Sequence, residues 1–128
     1  MTQLVIIRGN SGSGKSRVAG VIRKQLPGKV ALIEQDYFRR TVLKEKDKAD
    51  NTDIINLLEQ TTRFAIKCGY IVILEGILSS EKYGKMLRQL ANDFVSEVFY
   101  LEVSFEKTLL RHQSKPNRHE FGSMEMRE

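Results

Sequence analysis

Eight residues, Gly9-Asn10-Ser11-Gly12-Ser13-Gly14-Lys15-Ser16, constrain this chain more than any other feature. They fit the pattern G-x-x-x-x-G-K-[ST], in which every residue type has a physical task. Glycines permit the tight turn that brings backbone N–H groups close to phosphate oxygens. The helix that must follow adds the positive end of its dipole. Lys15 is expected to reach the β- and γ-phosphates of a nucleotide, and the Ser16 hydroxyl to sit on Mg²⁺. At ordinary residue frequencies a chance match in a chain of this length is roughly a one-per-cent event. The flanks also agree: Leu4–Ile7 reads as a buried strand, and Lys15–Leu26 carries Val18, Val21, Ile22 and Leu26 at helical spacing before Pro27-Gly28. A merely flexible Gly/Ser loop needs neither flank.

The same alternation continues. Lys29–Glu34 reads as a second buried strand, and the polar stretch Asp36–Asp50 as a loop or short helix. Asn51 or Thr52 is placed to cap a helix in which Ile54, Leu57, Leu58, Thr61, Ala65 and Cys68 share a face, closed by Gly69. Tyr70–Leu74 is a third strand. Ser80 is placed to cap a helix bearing Tyr83, Met86, Leu87, Leu90 and Phe94. Val98–Val103 is a fourth strand, and Ser104 starts a helix from Phe105 to about Gln113 that Pro116 breaks. Strands that are continuous apolar runs, alternating with helices, imply an α/β fold with a mostly parallel sheet covered on both faces.

A length of 128 residues with 41% hydrophobic content suits one domain, 1–128, with one core. The net charge of +5 suits phosphate-bearing ligands and permits nucleic acid, although an ordinary basic surface has the same balance. Cys68 is the only cysteine, which excludes an intrachain disulfide and a multi-cysteine metal site; it reads as a small core residue. The apolar N-terminal run is too short for a signal peptide or a membrane span, so a reduced, cytoplasmic setting without a membrane is expected. Monomer and homodimer both remain open.

In an open parallel sheet ligands sit beyond the carboxyl ends of the strands, so the residues that follow each strand are the functional candidates. Asp36 follows the second strand, where a carboxylate can orient an incoming hydroxyl and accept its proton; its plainer reading is a cap or turn residue. Arg39 is a candidate for holding a phosphate or positioning the acceptor, or else a surface arginine. Tyr37 and Phe38 suit stacking on an acceptor ring or core packing equally. Glu75 ends the third strand, where an acid supports Mg²⁺ through water or hydrogen-bonds the acceptor, and Gly76 leaves room beside it. No second acid follows Glu75, which favours transfer over hydrolysis. Beyond the fourth helix, Arg111, Lys115 and Arg118 form a basic segment that either closes over the nucleotide, placing cations on developing charge, or is a solvated run. His112 and His119 lack partner cysteines and are not read as metal ligands.

These residues together resemble the P-loop nucleoside/nucleotide-kinase superfamily: Ile6–Ser16, Asp36-x-Phe38-Arg39, Val72–Gly76 and Ser104-Phe105-Glu106-x-Thr108-Leu109-x-Arg111-His112. The chain is most similar in look to bacterial kinases labelled uridine-kinase-like, and more distantly to zeta toxins and polynucleotide 5′-kinases. The resemblance spans the chain and implies a three-layer α/β/α sandwich, ATP-Mg²⁺ as donor, and a lid over about 112–120. It implies that residues 9–16 bind the nucleotide, with Ser16 and Glu75 toward the metal. Lys15, Asp36, Arg111 and Arg118 would serve catalysis, Asp36 as base, and Asp36, Arg39 and Glu75 would meet the acceptor. Two departures stand out: Glu75 where relatives often carry Asp, and a chain that ends at Met126-Arg127-Glu128, where a fifth strand and last helix are expected. The implied reaction is transfer of the γ-phosphate to a hydroxyl of a small molecule such as a nucleoside or sugar derivative. A nucleic-acid 5′-hydroxyl as acceptor and a non-catalytic ATP-binding switch are the alternatives.

Overall fold

Four parallel strands form one sheet in the order β2-β3-β1-β4, as seen in a computed structural model that describes residues 1–10, 12–46, 48 and 52–101. The strands are β1 (Leu4–Gly9), β2 (Val30–Glu34), β3 (Ile71–Gly76) and β4 (Ser96–Leu101). Helices α1 (Lys15–Gln25), α3 (Asp53–Lys67) and α4 (Ser80–Asp93) connect them, with a three-residue helix α2 (Gln35–Tyr37) directly after β2. The helix expected after Ser104, the lid, Arg111, Arg118 and the region of a fifth strand lie outside the described residues, as do Ser11 and Asn51.

Side-chain alternation along each strand divides the core in two. Leu4, Ile6, Ile33, Val72 and Leu74 pack with Ile54 and Leu58 of α3 and with Tyr83, Leu87 and Leu90 of α4. Val5, Ile7, Ile73, Phe99 and Leu101 pack on the opposite face with Ala19 and Ile22 of α1. This is the expected three-layer α/β/α arrangement, and it explains why β1, whose six residues are all buried, reads as an unbroken apolar run. Parallel neighbours need crossover connections, and all of these carry helices.

Several local expectations change. Cys68 is exposed at the end of α3, because the buried stripe runs through Ile54, Leu58, Thr62 and Ala65 and has rotated away from the sheet by residue 68. Val21 is 53% exposed although it shares a helical pattern with Ile22. Ser79, and not Ser80, stands at the α4 N-cap position, and neither it nor Thr52 makes a side-chain capping bond. The polar stretch after Asp36 is a continuous helical turn: a π-helical segment, Phe38–Val42, extends α2, closed by a bond from Leu43 N to the Phe38 carbonyl of 3.0 Å.

Thr62 is fully buried in α3, and among the described residues its Oγ1 has no hydrogen-bond partner. An unpartnered buried hydroxyl costs free energy that an apolar group of the same shape does not. Thr62→Val is therefore expected to raise the unfolding free energy by about 1 kcal/mol in a urea titration; a loss of stability would contradict the buried, unpaired hydroxyl.

Candidate active site

The parallel register brings the candidate residues to one rim. Ile7 pairs with Glu75, Arg8 with Gly76 and Gly9 with Leu101 across β1, and Glu34 pairs with Glu75 across β2 and β3. Because side chains alternate, Glu34 and Glu75 project toward the α1 face, where Lys15 begins the helix. The chain turns from β1 into α1 through glycines: Gly12 has φ 80° and Gly14 φ 95°, a left-handed conformation that other residues adopt at a cost. Gly9 is needed for a different reason, since a Cβ there would strike the Leu101 carbonyl oxygen.

The turn is held by Ser13 N donating to the Asn10 carbonyl at 3.1 Å, and by Val18 N donating to the Gly14 carbonyl at 3.0 Å. No acidic residue lies in the first turn of α1, and Gly14 has no side chain to cap it. The first N–H groups of α1 thus stay available to an anion, with the helix dipole behind them. Lys15 is almost entirely buried, and its Nζ donates to the Asn10 carbonyl at 3.0 Å. A cation with one backbone partner in such a place is matched to an anionic ligand.

Beyond the strand ends lies a cavity of about 460 Å³. Gly12, Lys15 and Ser16 line its loop side, and Glu34, Glu75 and Gly76 its floor. Gln35, Asp36, Tyr37, Arg40 and Thr41 form the opposite wall, with Ile77 at the rim. The structure therefore brings Lys15, Ser16, Asp36 and Glu75 together around one space. Asp36 Oδ1 is held by Arg39 Nη2 at 3.1 Å and by Arg40 Nε at 3.1 Å, one turn of helix away. Arg39 also donates to the Glu45 carbonyl at 2.8 Å and lies behind the wall; Arg40, more exposed, is the arginine that lines the cavity.

Burial pushes the Lys15 ammonium below the usual lysine value, opposed by the negative charges of Glu75 and Asp36. Burial likewise pushes the Glu75 carboxyl up, opposed by Lys15 and assisted by Glu34 and Asp36. Perturbed groups converging on a cleft mark a functional site. Among the described residues no cluster of three or more His, Cys, Asp or Glu side chains could hold a metal ion by itself. The residues do fit a nucleotide-borne Mg²⁺, which takes most ligands from phosphates and water and only one or two from protein; Ser16 and Glu75 face the required space.

A family model described as an AAA domain matches residues 4–125. The chain belongs to this family. Comparison of this AAA-domain chain with curated proteins found no match. Among solved structures it is similar to the Mycobacterium tuberculosis APS kinase CysC in complex with AMPPNP and APS, at 19% identity over 91% of this chain and 69% of that one, TM-score 0.61. It is similar to the Cys556Ala mutant of the same kinase at 21% identity, covering 80% of this chain and 76% of that one, TM-score 0.60. A chain of a Pnkp1/Rnl/Hen1 complex matches at 19% identity over 86% of this chain but 38% of its own length, TM-score 0.62. At these identities the likeness is one of fold.

Residue-by-residue reading of the AAA-domain chain gave no role to Glu34, Gln35 or Arg40. The pairing of Glu34 with Glu75 needed the strand register, and the reach of Arg40 needed the helical path of residues 35–42. Among the described residues no helix is long and apolar enough to cross a membrane.

The raised Glu75 carboxyl has a consequence for stability. The folded chain binds that proton more tightly than the unfolded chain, so this group's contribution is full below its ordinary value of 4.5 and is lost as pH rises through the folded value. Glu75→Gln is expected to raise the melting temperature of the ligand-free protein at about pH 8, with the gain fading on acidification toward pH 4.5. A melting temperature lowered at every pH would contradict the burial-driven shift.

Proposed function

We propose that this chain is a single P-loop kinase domain that transfers the γ-phosphate of ATP to a hydroxyl group of a small-molecule acceptor. The observation that carries the reading is the shared cavity: the loop end, Lys15 and Ser16, faces Asp36 and Glu75 across a space of about 460 Å³ at the carboxyl ends of the strands. Bound ATP-Mg²⁺ supplies the activated phosphoryl group and a cation that offsets the charge on its oxygens.

The chain's own groups divide the remaining work. Amides of residues 9–16 and the α1 terminus hold phosphate oxygens. Lys15 leaves the Asn10 carbonyl for the phosphates, neutralising charge that grows on them. Ser16 would contribute a hydroxyl toward the metal, and Glu75 would support it through water. Asp36 accepts the proton of the acceptor hydroxyl as its oxygen bonds to phosphorus and the bridging oxygen leaves with ADP. Arg39 and Arg40 hold one carboxylate oxygen of Asp36, which leaves the other for the acceptor. Arg111 and Arg118 complete the proposal as lid cations.

A second reading, with a nucleic-acid 5′-hydroxyl as acceptor, draws support from the +5 charge and from the likeness to the Pnkp1-complex chain. It requires oligonucleotide binding that weakens steeply with salt. A third, an ATP-binding switch, requires that no acceptor stimulate ADP release.

The decisive assay is ADP formation with and without candidate acceptors. The account expects strong stimulation by the correct hydroxyl compound, and expects Asp36→Asn to lower the stimulated rate by about 10²- to 10⁴-fold while leaving ATP binding close to wild type. Equal ADP release with every acceptor, or full activity of the Asn variant, would contradict it.

A further inference from the structure

Gln35 is an uncharged polar side chain set among the carboxylates at the ends of β2 and β3. It lies between Glu34 and Asp36 in sequence, lines the same cavity as both, and is 2% exposed. Its side chain is fixed on two sides. The amide Nε2 donates to Tyr83 Oη of α4 at 3.1 Å, a bond between two buried groups. On the other side the chain passes directly over Gly76: a Cβ at that glycine would lie 2.6 Å from Gln35 Cβ and 3.2 Å from Gln35 Oε1. The absence of a side chain at residue 76 is thus what lets Gln35 reach the cavity floor beside Glu75. With Nε2 committed to Tyr83, Oε1 is left as the acceptor atom, and among the described residues it carries no hydrogen bond. Oε1 is not among the fully enclosed polar atoms without a partner, so it keeps access to the cavity and can accept a hydrogen bond from a ligand there.

We propose that Gln35 is a specificity-determining residue: its amide oxygen, oriented by Tyr83 and admitted by Gly76, accepts a hydrogen bond from a second hydroxyl of the phosphoryl acceptor. The inference rests on the phosphotransferase reading and narrows it to a class. Three carboxylates, Glu34, Asp36 and Glu75, line the cavity with Gln35, alongside Lys15, Arg40 and Thr41, and they also accept hydrogen bonds when ionised. Such a wall suits a molecule that offers several donors, a polyhydroxylated acceptor, of which Asp36 takes the reacting hydroxyl and Gln35 a neighbour. A neutral amide performs this task without adding a fourth negative charge beside the phosphates.

The test uses the full chain, a panel of ribonucleosides, pentoses, hexoses, simple mono-alcohols and 5′-hydroxyl oligonucleotides, and the monodeoxy analogue of each sugar or nucleoside that stimulates ADP formation. Wild type is expected to lose about 10- to 100-fold in kcat/KM toward one monodeoxy analogue of its acceptor, because that analogue leaves Oε1 unpaired. In Gln35→Leu the gap should close to within about threefold, through loss on the parent compound alone, with the KM for ATP unchanged. Gln35→Glu keeps an acceptor oxygen and should retain discrimination. Tyr83→Phe, which frees the amide to rotate, should narrow the gap without moving the KM for ATP, and it carries the test if Gln35→Leu does not fold. Undiminished discrimination in Gln35→Leu or in Tyr83→Phe overturns the assignment of Gln35 and leaves the phosphotransferase reading standing. Stimulation only by acceptors with a single hydroxyl overturns the polyhydroxyl class. Failure of every compound, oligonucleotides included, to stimulate ADP formation overturns the phosphotransferase reading, and this inference with it.

Discussion

The parallel pairing of β1 with β3 and β4 is the constraint on which the site depends. Parallel strands all point their carboxyl ends the same way, so every residue that follows a strand is delivered to one rim. The register then decides which face each one takes. Ile7 opposite Glu75 puts that carboxylate on the α1 side, beside Lys15. A slip of one residue would turn Glu75 toward α4 and bury it among Leu58, Tyr83 and Leu87. The two apolar clusters that fill opposite faces are what forbid the slip. Core packing and site geometry are therefore one specification, written in the alternation of side chains along β1 and β3.

The rim itself is built against stability. Lys15 and Glu75 are both buried, and burial drives each toward its neutral form. They offset one another only in part, since desolvation is the larger influence on both. Glycines 9 and 76 accept close approach where any side chain would collide with Leu101 or Gln35. The segment after β2 runs as a π-helical turn, an uncommon geometry that recurs at functional positions. Local costs concentrated at one end of an otherwise regular sheet are the pattern expected where selection acts on a ligand and not on the empty fold.

Much of this could be read directly from the residues. The loop at 9–16 announced itself because each of its residue types answers a separate demand of phosphate binding. The strands were legible because burial on both faces makes them unbroken apolar runs. Asp36 and Glu75 followed from their position at strand ends. What escaped were relations set by three-dimensional proximity. Gln35 and Tyr83 are 48 residues apart and meet only when α4 packs against the sheet. Arg39 drew notice over Arg40 through the motif Asp36-x-Phe38-Arg39, yet both reach Asp36 and Arg40 is the one that lines the cavity. Cys68 and Val21 fell on apolar patterns but lie outside the buried stripes, since a helix of 3.6 residues per turn drifts off any simple spacing.

The central claim is that the amides of residues 9–16, with Lys15 and Ser16, hold a nucleotide's terminal phosphates. Titration calorimetry of the intact chain with ATP in the presence of Mg²⁺ tests it most directly. The account predicts saturable one-to-one heat with the wild-type chain, and loss of most of it in Lys15→Met while the fold is retained by circular dichroism. No heat with the folded wild type, or unchanged binding in the Lys15 variant, would contradict it.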